Sequence, residues 1–286
     1  MILYHYCSNE AFLSILRTHE LRLSDLSLSN DQLEGKWIPK LLKEHWAKQG
    51  LYPLEYERLI THVDSLIDTF VAGGFCLSEE GDLLSQWRGY ADNGAGVSVG
   101  FEASYLEKIR GEPDQPFLVE LRQVVYDNEG QEHIIAPFLQ EISKAIAAGA
   151  LRDPEGTLLT PTTDGDRETI KKAFGALIVT FINMVPQLYV LKNPAFCEER
   201  EWRLLSHILR GTEKIFADPP VYMDFFAKPD RIVPFHRILL PKRDECQIAR
   251  VVLGPRNITS KDVVRAALSK YGFLDVEIMK SLSSYR

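Results

Sequence analysis

The sequence predicts an α+β fold: a single mixed domain spanning residues 1–286, with a largely antiparallel or split sheet and helical insertions. Two patterns carry this prediction. Strand-like segments cluster in hairpin-like pairs near the C-terminus, whereas amphipathic helices separate the earlier strands. Of the 286 residues, 45% are hydrophobic, so the chain can bury a sizeable core as one large domain or two small ones.

Each element is predicted from a periodicity and from the residues that start or stop it. Period 2 indicates strands, a 3.6-residue period indicates helices, and Ser8 or Asn9 and Pro53 suit helix starts. The predicted strands are 1–6, 20–24, 75–77, the stretch punctuated by Gly94, Gly96 and Gly100, 117–126, 199–204, 221–226, 237–240, 249–253 and 275–279. The predicted helices run from Ser8 or Asn9 to about 17, 53–70, around 86–90, 132–148, 167–191 with a kink near Pro186, and 261–271.

The stretch Gly74–Phe101 places a strand, a polar turn, a short helix and a second strand in very few residues. Side chains at such a junction usually face a cleft, which draws attention to Ser78 at the end of the first strand. Residues 103–167 read instead as a variable, insertion-like region, whose segment between Asp153 and Asp166 is rich in Pro, Gly, Thr and Asp.

Composition excludes several classes of protein. The formal charge is -7, with 40 acidic against 33 basic residues, so generic nucleic-acid binding would need a local basic patch. The four cysteines lack paired metal-site spacing, no P-loop, Gly-rich dinucleotide fingerprint or nucleophile elbow is present, and no metal is expected. No signal peptide is recognised, and Ala173–Leu191 is interrupted by Asn, Pro and Gln. We therefore expect a cytoplasmic protein that makes no membrane contact.

The segment EEREWR holds the first candidate site. Glu199, Glu201 and Arg203 occupy alternate positions of a predicted strand whose other side is apolar, so these charges require solvent or a cavity. One interpretation is structural: the face is exposed, or Arg203 pairs with a glutamate across the sheet. The other is catalytic: a carboxylate binds a sugar hydroxyl and stabilises oxocarbenium character.

Other candidates also have a structural and a functional interpretation. His5, in a hydrophobic strand, is either a hydrogen-bonded core residue or part of a site. Ser78 either caps the following helix or binds a polar ligand. On that helix Arg88 and Tyr90 could line a site, with Tyr90 as a stacking surface, although most aromatic residues so placed belong to a core.

The chain resembles a bacterial family of unknown function, domain-of-unknown-function family 2971. The matching segments are LYHYCSNEAFLSILRTHELRLS with SNDQLEG, FCLSEEGDLLSQWRGYADNGAGVSVGF, LKNPAFCEEREWRLL, and IARVVLGPRN with MKSLSSYR. They occur in the family's order along nearly the full chain. The resemblance by itself implies no activity.

More distantly, the chain is similar to the ADP-ribosyltransferase superfamily, through His5 with Ser8, ELRLS, Ser78 in FCLS and the glutamates of EEREWR. This resemblance implies an enzyme that uses NAD as cofactor, acts on a protein or nucleic-acid acceptor, and has a role in phage defence or as a toxin.

The implied site has Glu201 on the nicotinamide ribose, Glu199 at the acceptor and His5 on the adenosine-side ribose or diphosphate. Ser78 would support Glu201 or the ribose, and Tyr90 would stack on nicotinamide.

Two rival functions remain open. A non-catalytic module could recognise a nucleotide or a peptide through Ser78, Arg88, Glu201 and Arg203 and so regulate an effector. A metal-dependent nuclease could use three carboxylates, which requires them to lie within a few ångströms of one another. Its candidate ligands are Asp31, Glu34 and Glu201.

Overall fold

The computed structural model describes residues 1–29, 33–109, 118–156, 162–209, 223–228, 230–240 and 248–283. The helices are α1 (Asn9–Thr18), α2 (Trp37–Gln49), α3 (Pro53–Thr69), α4 (Leu84–Tyr90), α5 (Ala103–Leu106), α6 (Asn128–Ala147), α7 (Asp164–Met184) and α8 (Lys261–Lys270). The strands are β1 (Ile2–Cys7), β2 (Glu20–Asp25), β3 (Phe70–Ser78), β4 (Val97–Glu102), β5 (Val119–Gln123), β6 (Glu201–Leu209), β7 (Met223–Lys228), β8 (Arg231–Leu239), β9 (Arg250–Leu253) and β10 (Glu277–Lys280).

Ten strands in these ranges form one open sheet, ordered β10-β9-β4-β1-β3-β2-β8-β7, with β6 beside β3 and β5 beside β6. The ladders with a determined register are antiparallel, except for the parallel pair of β9 and β10. Helices separate the early strands, and β7 and β8 form a hairpin. The predicted α+β class with a largely antiparallel sheet is confirmed.

Packing divides the chain into two compact units. Unit 1 comprises Met1–Leu28, Ala72–Val124 and Phe196–Arg286, and unit 2 comprises Ser29–Val71 and Val125–Ala195. Unit 1 contains most of the sheet, whereas unit 2 contains the helices α2, α3, α6 and α7. The assignment of the whole chain to one domain stays a prediction.

The two faces of β1 bury different side chains in unit 1. Leu3 and Cys7 belong to the main core, which also contains residues of α1, β3, β4, β6, β9 and α8. Tyr4 and Tyr6 point the other way and pack with Trp87 of α4. This alternation fixes which side of the sheet each β1 residue faces.

Buried hydrogen bonds connect the helices and the C-terminal segment of unit 2 to one another. Trp37 of α2 donates its Nε1–H to Gln131 Oε1 of α6 at 2.9 Å, and Gln131 donates to the carbonyl oxygen of Lys192 at 2.7 Å. The sequence did not predict α2, because its N-cap residue, Lys36, makes no side-chain capping bond and so provides no start signal.

The long apolar helix of unit 2 ends earlier than predicted. α7 stops at Met184, and a 3-10 turn, Val185–Gln187, replaces the predicted kinked continuation because Pro186 has no N–H for the helix ladder. Of the described segments, 164–187 has the length and hydropathy to cross a membrane, but 39% of its apolar window is buried. It is not a clear membrane span, and the cytoplasmic location stays a prediction.

Candidate functional site

Ser78 ends β3 and is held by backbone hydrogen bonds. Its side chain is 2% exposed; its hydroxyl donates to the carbonyl oxygen of Glu199 at 2.7 Å and accepts from the Glu80 amide at 3.1 Å. The interpretation of Ser78 as a helix cap is wrong, because Leu83 is the N-cap of α4 and provides no side-chain bond. Ser78 instead fastens the turn after β3 to the segment before β6.

Glu201 and Arg203, at the start of β6, form a buried ion pair. Arg203 donates from Nε and Nη2 to the two carboxylate oxygens of Glu201, at 2.8 and 2.7 Å. The Arg203 and Glu201 side chains are only 1% and 8% exposed, so bulk water solvates neither charge well. This two-point contact fixes the orientation of the carboxylate.

Glu199 does not lie on the same strand. It is the last residue of a 3-10 helix, Pro194–Glu199, and Arg200 after it has a φ of 44°. A left-handed residue at this point breaks the alternation on which the prediction of three charges on one strand face depended. That prediction is wrong for Glu199, which is buried and reaches Ser78 through its backbone carbonyl.

Two contacts fix how β3 and β6 pair. The Glu79 amide donates to the Arg200 carbonyl at 3.2 Å at one end of the ladder. At the other end, a Cβ on Gly73 would lie 2.9 Å from Ser206 Oγ. Since the residue numbers rise on β6 as they fall on β3, the two strands are antiparallel.

Ser78 and Glu201 therefore lie side by side on one face of the sheet, with Arg203 two residues along β6. His5 does not lie on that face. The β1 ladder pairs Tyr4 with Ser78, and successive strand residues point to opposite sides. The structure thus brings together Ser78, Glu201 and Arg203, and it places His5 on the opposite face of the sheet.

His5 occupies the core side of β1. Its ring stacks on Phe75 with 4.0 Å between centroids, and its Nδ1 hydrogen-bonds the Cys76 carbonyl oxygen at 2.8 Å. Burial lowers the pKa of His5 to about 4, although the hydrogen bond to Cys76 acts in the opposite direction. The imidazole is therefore neutral at pH 7, as expected of a hydrogen-bonded core histidine.

Polar side chains connect the turn after β3 to β5 and β6. Glu79 accepts hydrogen bonds from Trp202 Nε1 at 2.9 Å and from Gln123 Nε2 at 3.3 Å. Arg200 donates to Glu80 at 2.6 Å, in a pair whose side chains are 57% and 49% exposed. These contacts hold the turn in one position beside Ser78.

Helix α4 presents one aromatic residue inward and one outward. Trp87 is fully buried, meets Tyr6 edge-on at 4.8 Å between ring centroids, and donates its Nε1–H to Asp82 at 2.7 Å. Tyr90 is 45% exposed, and Arg88 is also exposed. Both side chains are therefore accessible at the surface of α4.

Asp82, in the polar turn after β3, connects the start of α4 to the C-terminal segment. Its carboxylate accepts hydrogen bonds from Ser281 Oγ, from the Leu282 amide at 2.7 Å and from Ser283 Oγ at 3.4 Å. Partial burial acts to raise the pKa of Asp82, but these hydrogen bonds together with that of Trp87 outweigh it and lower the pKa. Asp82 therefore stays ionised and anchors the segment.

Arg122 is a residue that sequence reasoning missed. The β5–β6 register places it directly opposite Arg203, so both side chains project from the same face. Arg122 also contacts Glu120 at 3.4 Å, two positions earlier on β5. The alternation of charged and apolar residues in VELRQ could have identified it. We call Ser78, Glu201, Arg203 and Arg122 the polar face.

In the part of the chain that the structure describes, no group of three or more His, Cys, Asp and Glu residues could hold a metal ion. Asp31, one of the carboxylates predicted for a nuclease, lies outside the described residues, as does Cys246. Cys7, Cys76 and Cys197 are free thiols, and burial raises the pKa of Cys7 to about 12. A buried thiol of this kind is unreactive at neutral pH.

Comparison with known proteins finds a similarity to one family model over part of the chain. No curated protein and no solved structure matches the chain significantly. A family model described as protein of unknown function (DUF2971) matches residues 86–204, which include Arg88 and Tyr90 of α4 and Glu201 and Arg203 of β6. The match confirms, over residues 86–204, the resemblance to this family that the sequence predicted.

Proposed function

We propose that the polar face binds NAD and that the protein transfers its ADP-ribosyl group to an acceptor. The observation that carries this proposal is the buried Glu201–Arg203 pair beside Ser78. A buried ion pair is often no more stable than an apolar pair of similar volume, because desolvation of both charges offsets their attraction. A role in binding a ligand would account for this pair better than a role in stability.

ADP-ribosyl transfer would use a carboxylate that is held in one orientation, as Glu201 is. The bond between nicotinamide and ribose C1 breaks, and its electron pair leaves with neutral nicotinamide. The acceptor nucleophile then bonds C1 and loses a proton. Glu201 would accept a hydrogen bond from the ribose 2′-hydroxyl and stabilise the positive charge that develops on the ring.

The remaining residues have supporting roles in this proposal. Ser78 would hold the segment before β6 through the Glu199 carbonyl, and Glu199 would position the acceptor. Tyr90 would stack on the nicotinamide ring, with Arg88 as a nearby cation. His5 is left out of the ligand contacts, because its ring packs on the core side of β1.

The test is incubation of the full chain with NAD labelled in either half, with free nicotinamide and label on protein or nucleic-acid acceptors as the readouts. Glu201→Gln keeps the side-chain shape, and we expect it to lower nicotinamide release by about 10²- to 10³-fold. Glu198→Gln changes an exposed glutamate nearby and serves as the control, with no loss expected. If the wild-type protein neither binds NAD nor releases nicotinamide, the proposal fails.

One observation favours a non-catalytic binding module as the second candidate. Both carboxylate oxygens of Glu201 already accept from Arg203, as expected of a residue that shapes a binding surface. NAD binding without nicotinamide release, in the presence of a range of acceptors, would establish this alternative. A role in phage defence stays a prediction, and comparison of phage infection in cells with wild-type and Glu201→Gln protein tests it.

A further inference from the structure

We infer that the outer edge of β7 pairs with β7 of a second copy of this chain, so that the sheet continues across a two-fold axis. Among the strands that the structure describes, β7 (Met223–Lys228) stands at one end of the strand order and pairs with β8 alone. A strand with an open edge offers a row of backbone N–H and C=O groups to a further strand. In a two-fold dimer both copies present the same edge to each other.

Two observations indicate which residues of β7 direct their backbone groups outward. The Phe225 amide donates to the carboxylate of its own neighbour Asp224 at 2.8 Å, so its N–H points away from β8. Phe225 also stands opposite Pro234 in the β7–β8 ladder, and a proline has no N–H to give to it. Backbone groups of a strand alternate between its two edges, so Ala227 faces outward as Phe225 does. The open edge therefore offers Phe225 and Ala227 to a partner strand.

The charges at the two ends of β7 select one register for this pairing. An antiparallel copy can place Phe225 opposite Phe225, Ala227 or Pro229 of the second copy, because residues that exchange hydrogen bonds must both face outward. With Phe225 opposite Ala227, Asp224 stands opposite Lys228 at both ends of the ladder. The other two registers set one of these charges against an aromatic ring. Opposite charges directly across a ladder stabilise it, so the register that pairs them is favoured.

The contacts that Asp224 makes within one copy are compatible with this pairing. Its ion pair with Arg237 spans 3.7 Å between side chains that are about half exposed, and such pairs contribute little to stability. The Phe225 amide, which Asp224 accepts from in one copy, would donate to the Ala227 carbonyl oxygen of the second copy. The carboxylate of Asp224 can then turn to Lys228 of the second copy, which is exposed. The backbone amide keeps a partner throughout the exchange.

Exposed apolar side chains beside this edge add to the pairing. Phe225 is 59% exposed, and Ile232, its diagonal neighbour on β8, is 69% exposed. The Phe225 ring would pack over Ala227 of the second copy. On the other face, Phe226 contacts Phe235 with 5.8 Å between ring centroids, and it would meet its own equivalent at the two-fold axis. The interface is small, so we expect a reversible dimer.

Sedimentation equilibrium of the full chain, from about 1 μM to 1 mM, tests this inference. We expect wild-type protein to dimerise reversibly in this range. Asp224→Lys and Lys228→Asp each place like charges opposite each other at both ends of the ladder, so each should raise the dissociation constant of the dimer by about 10-fold or more. An equimolar mixture of the two variants should dimerise again, because the mixed ladder brings opposite charges together at both ends. Glu132→Lys makes the same change of charge at an exposed glutamate of α6 and is the matched control, with no effect expected.

A second pair of variants tests the backbone contact at the same edge. Ala227→Pro removes the outward N–H, at a position where an edge strand tolerates proline, and it should abolish dimerisation. Ala227→Val keeps the N–H and should leave the dimer intact. Urea unfolding of each variant verifies the fold, and the mixing experiment carries the test if Ala227→Pro does not fold.

Several outcomes would overturn the pairing of two β7 edges. It is refuted if wild-type protein is monomeric throughout the concentration range, or if charge reversal changes the dissociation constant no more than Glu132→Lys does. A mixture of the two charge variants that stays monomeric, or an Ala227→Pro variant that dimerises as Ala227→Val does, refutes it equally. Slow hydrogen exchange of the Ala227 amide in a monomeric wild-type chain would show that this edge has another occupant.

Discussion

Arg203→Met should be among the most destabilising single substitutions in unit 1. It removes both charge-assisted hydrogen bonds to Glu201, at 2.8 and 2.7 Å, and leaves a carboxylate that is only 8% exposed without its cation. Each such bond contributes about 1.5–3 kcal/mol, and removing one partner of a buried pair costs about 3–5 kcal/mol. A domain has a total stability of about 5–15 kcal/mol, so the variant should be marginally stable.

The free energy of unfolding, measured by urea titration followed by circular dichroism, tests this expectation. Arg200→Met is the matched control: its partner Glu80 is half exposed, so the loss should be below about 1 kcal/mol. The double variant Glu201→Leu/Arg203→Met should be more stable than Arg203→Met alone, because no unpaired charge stays buried. A loss below about 1 kcal/mol for Arg203→Met would refute the argument that the pair is buried and tightly coupled.

Two further predictions concern pH and backbone packing. The pKa values of His5 and His207 are lowered from 6.5 to about 4 in the folded protein, so below pH 6.5 the unfolded chain binds more protons and stability falls as pH decreases. Urea titrations at pH 6.5 and 5 should show that the free energy of unfolding falls by about 2 kcal/mol for each of these two histidines. His5→Gln should remove about half of their combined loss. An equal loss in the variant and the wild type would contradict the assignment of this pH dependence to His5. Gly96→Ala should cost about 1–3 kcal/mol in the same assay, because its Cβ would lie 2.2 Å from the Cys7 carbonyl oxygen. Gly89→Ala is the control, since nothing lies within 4 Å of that Cβ and alanine favours the helix; equal stability of the two variants would show that the close approach at Gly96 is absent.

Local signals in the chain predicted many elements correctly. The Ser8 cap, with its hydroxyl accepting from the Ala11 amide, begins α1, and Pro53 occupies the first turn of α3, as expected from the stereochemistry of helix starts. Periodicity also located β1, β2 and β9 within one or two residues. α2 was missed because it lacks a side-chain cap, and periodicity alone is a weak signal for a segment so rich in lysine.

The candidate site was predictable only in part. Alternation along EEREWR correctly placed Glu201 and Arg203 on one strand face, because side-chain direction in a strand depends on local geometry alone. It failed at Glu199, where a left-handed Arg200 interrupts the pattern, and no composition rule marks a non-glycine residue for positive φ.

By itself, the sequence determined the α+β class, most helix and strand positions and the similarity to DUF2971, since these depend on periodicity, caps and motifs within short segments. Only the tertiary structure decided which side chains meet. Strand register, set by contacts between residues far apart in the chain, placed Ser78 beside Glu201, opposed Arg122 to Arg203, and turned His5 toward the core. A shift of one residue in any of these ladders would turn every side chain of the shifted strand to the opposite face of the sheet. No local signal in the sequence specifies the register.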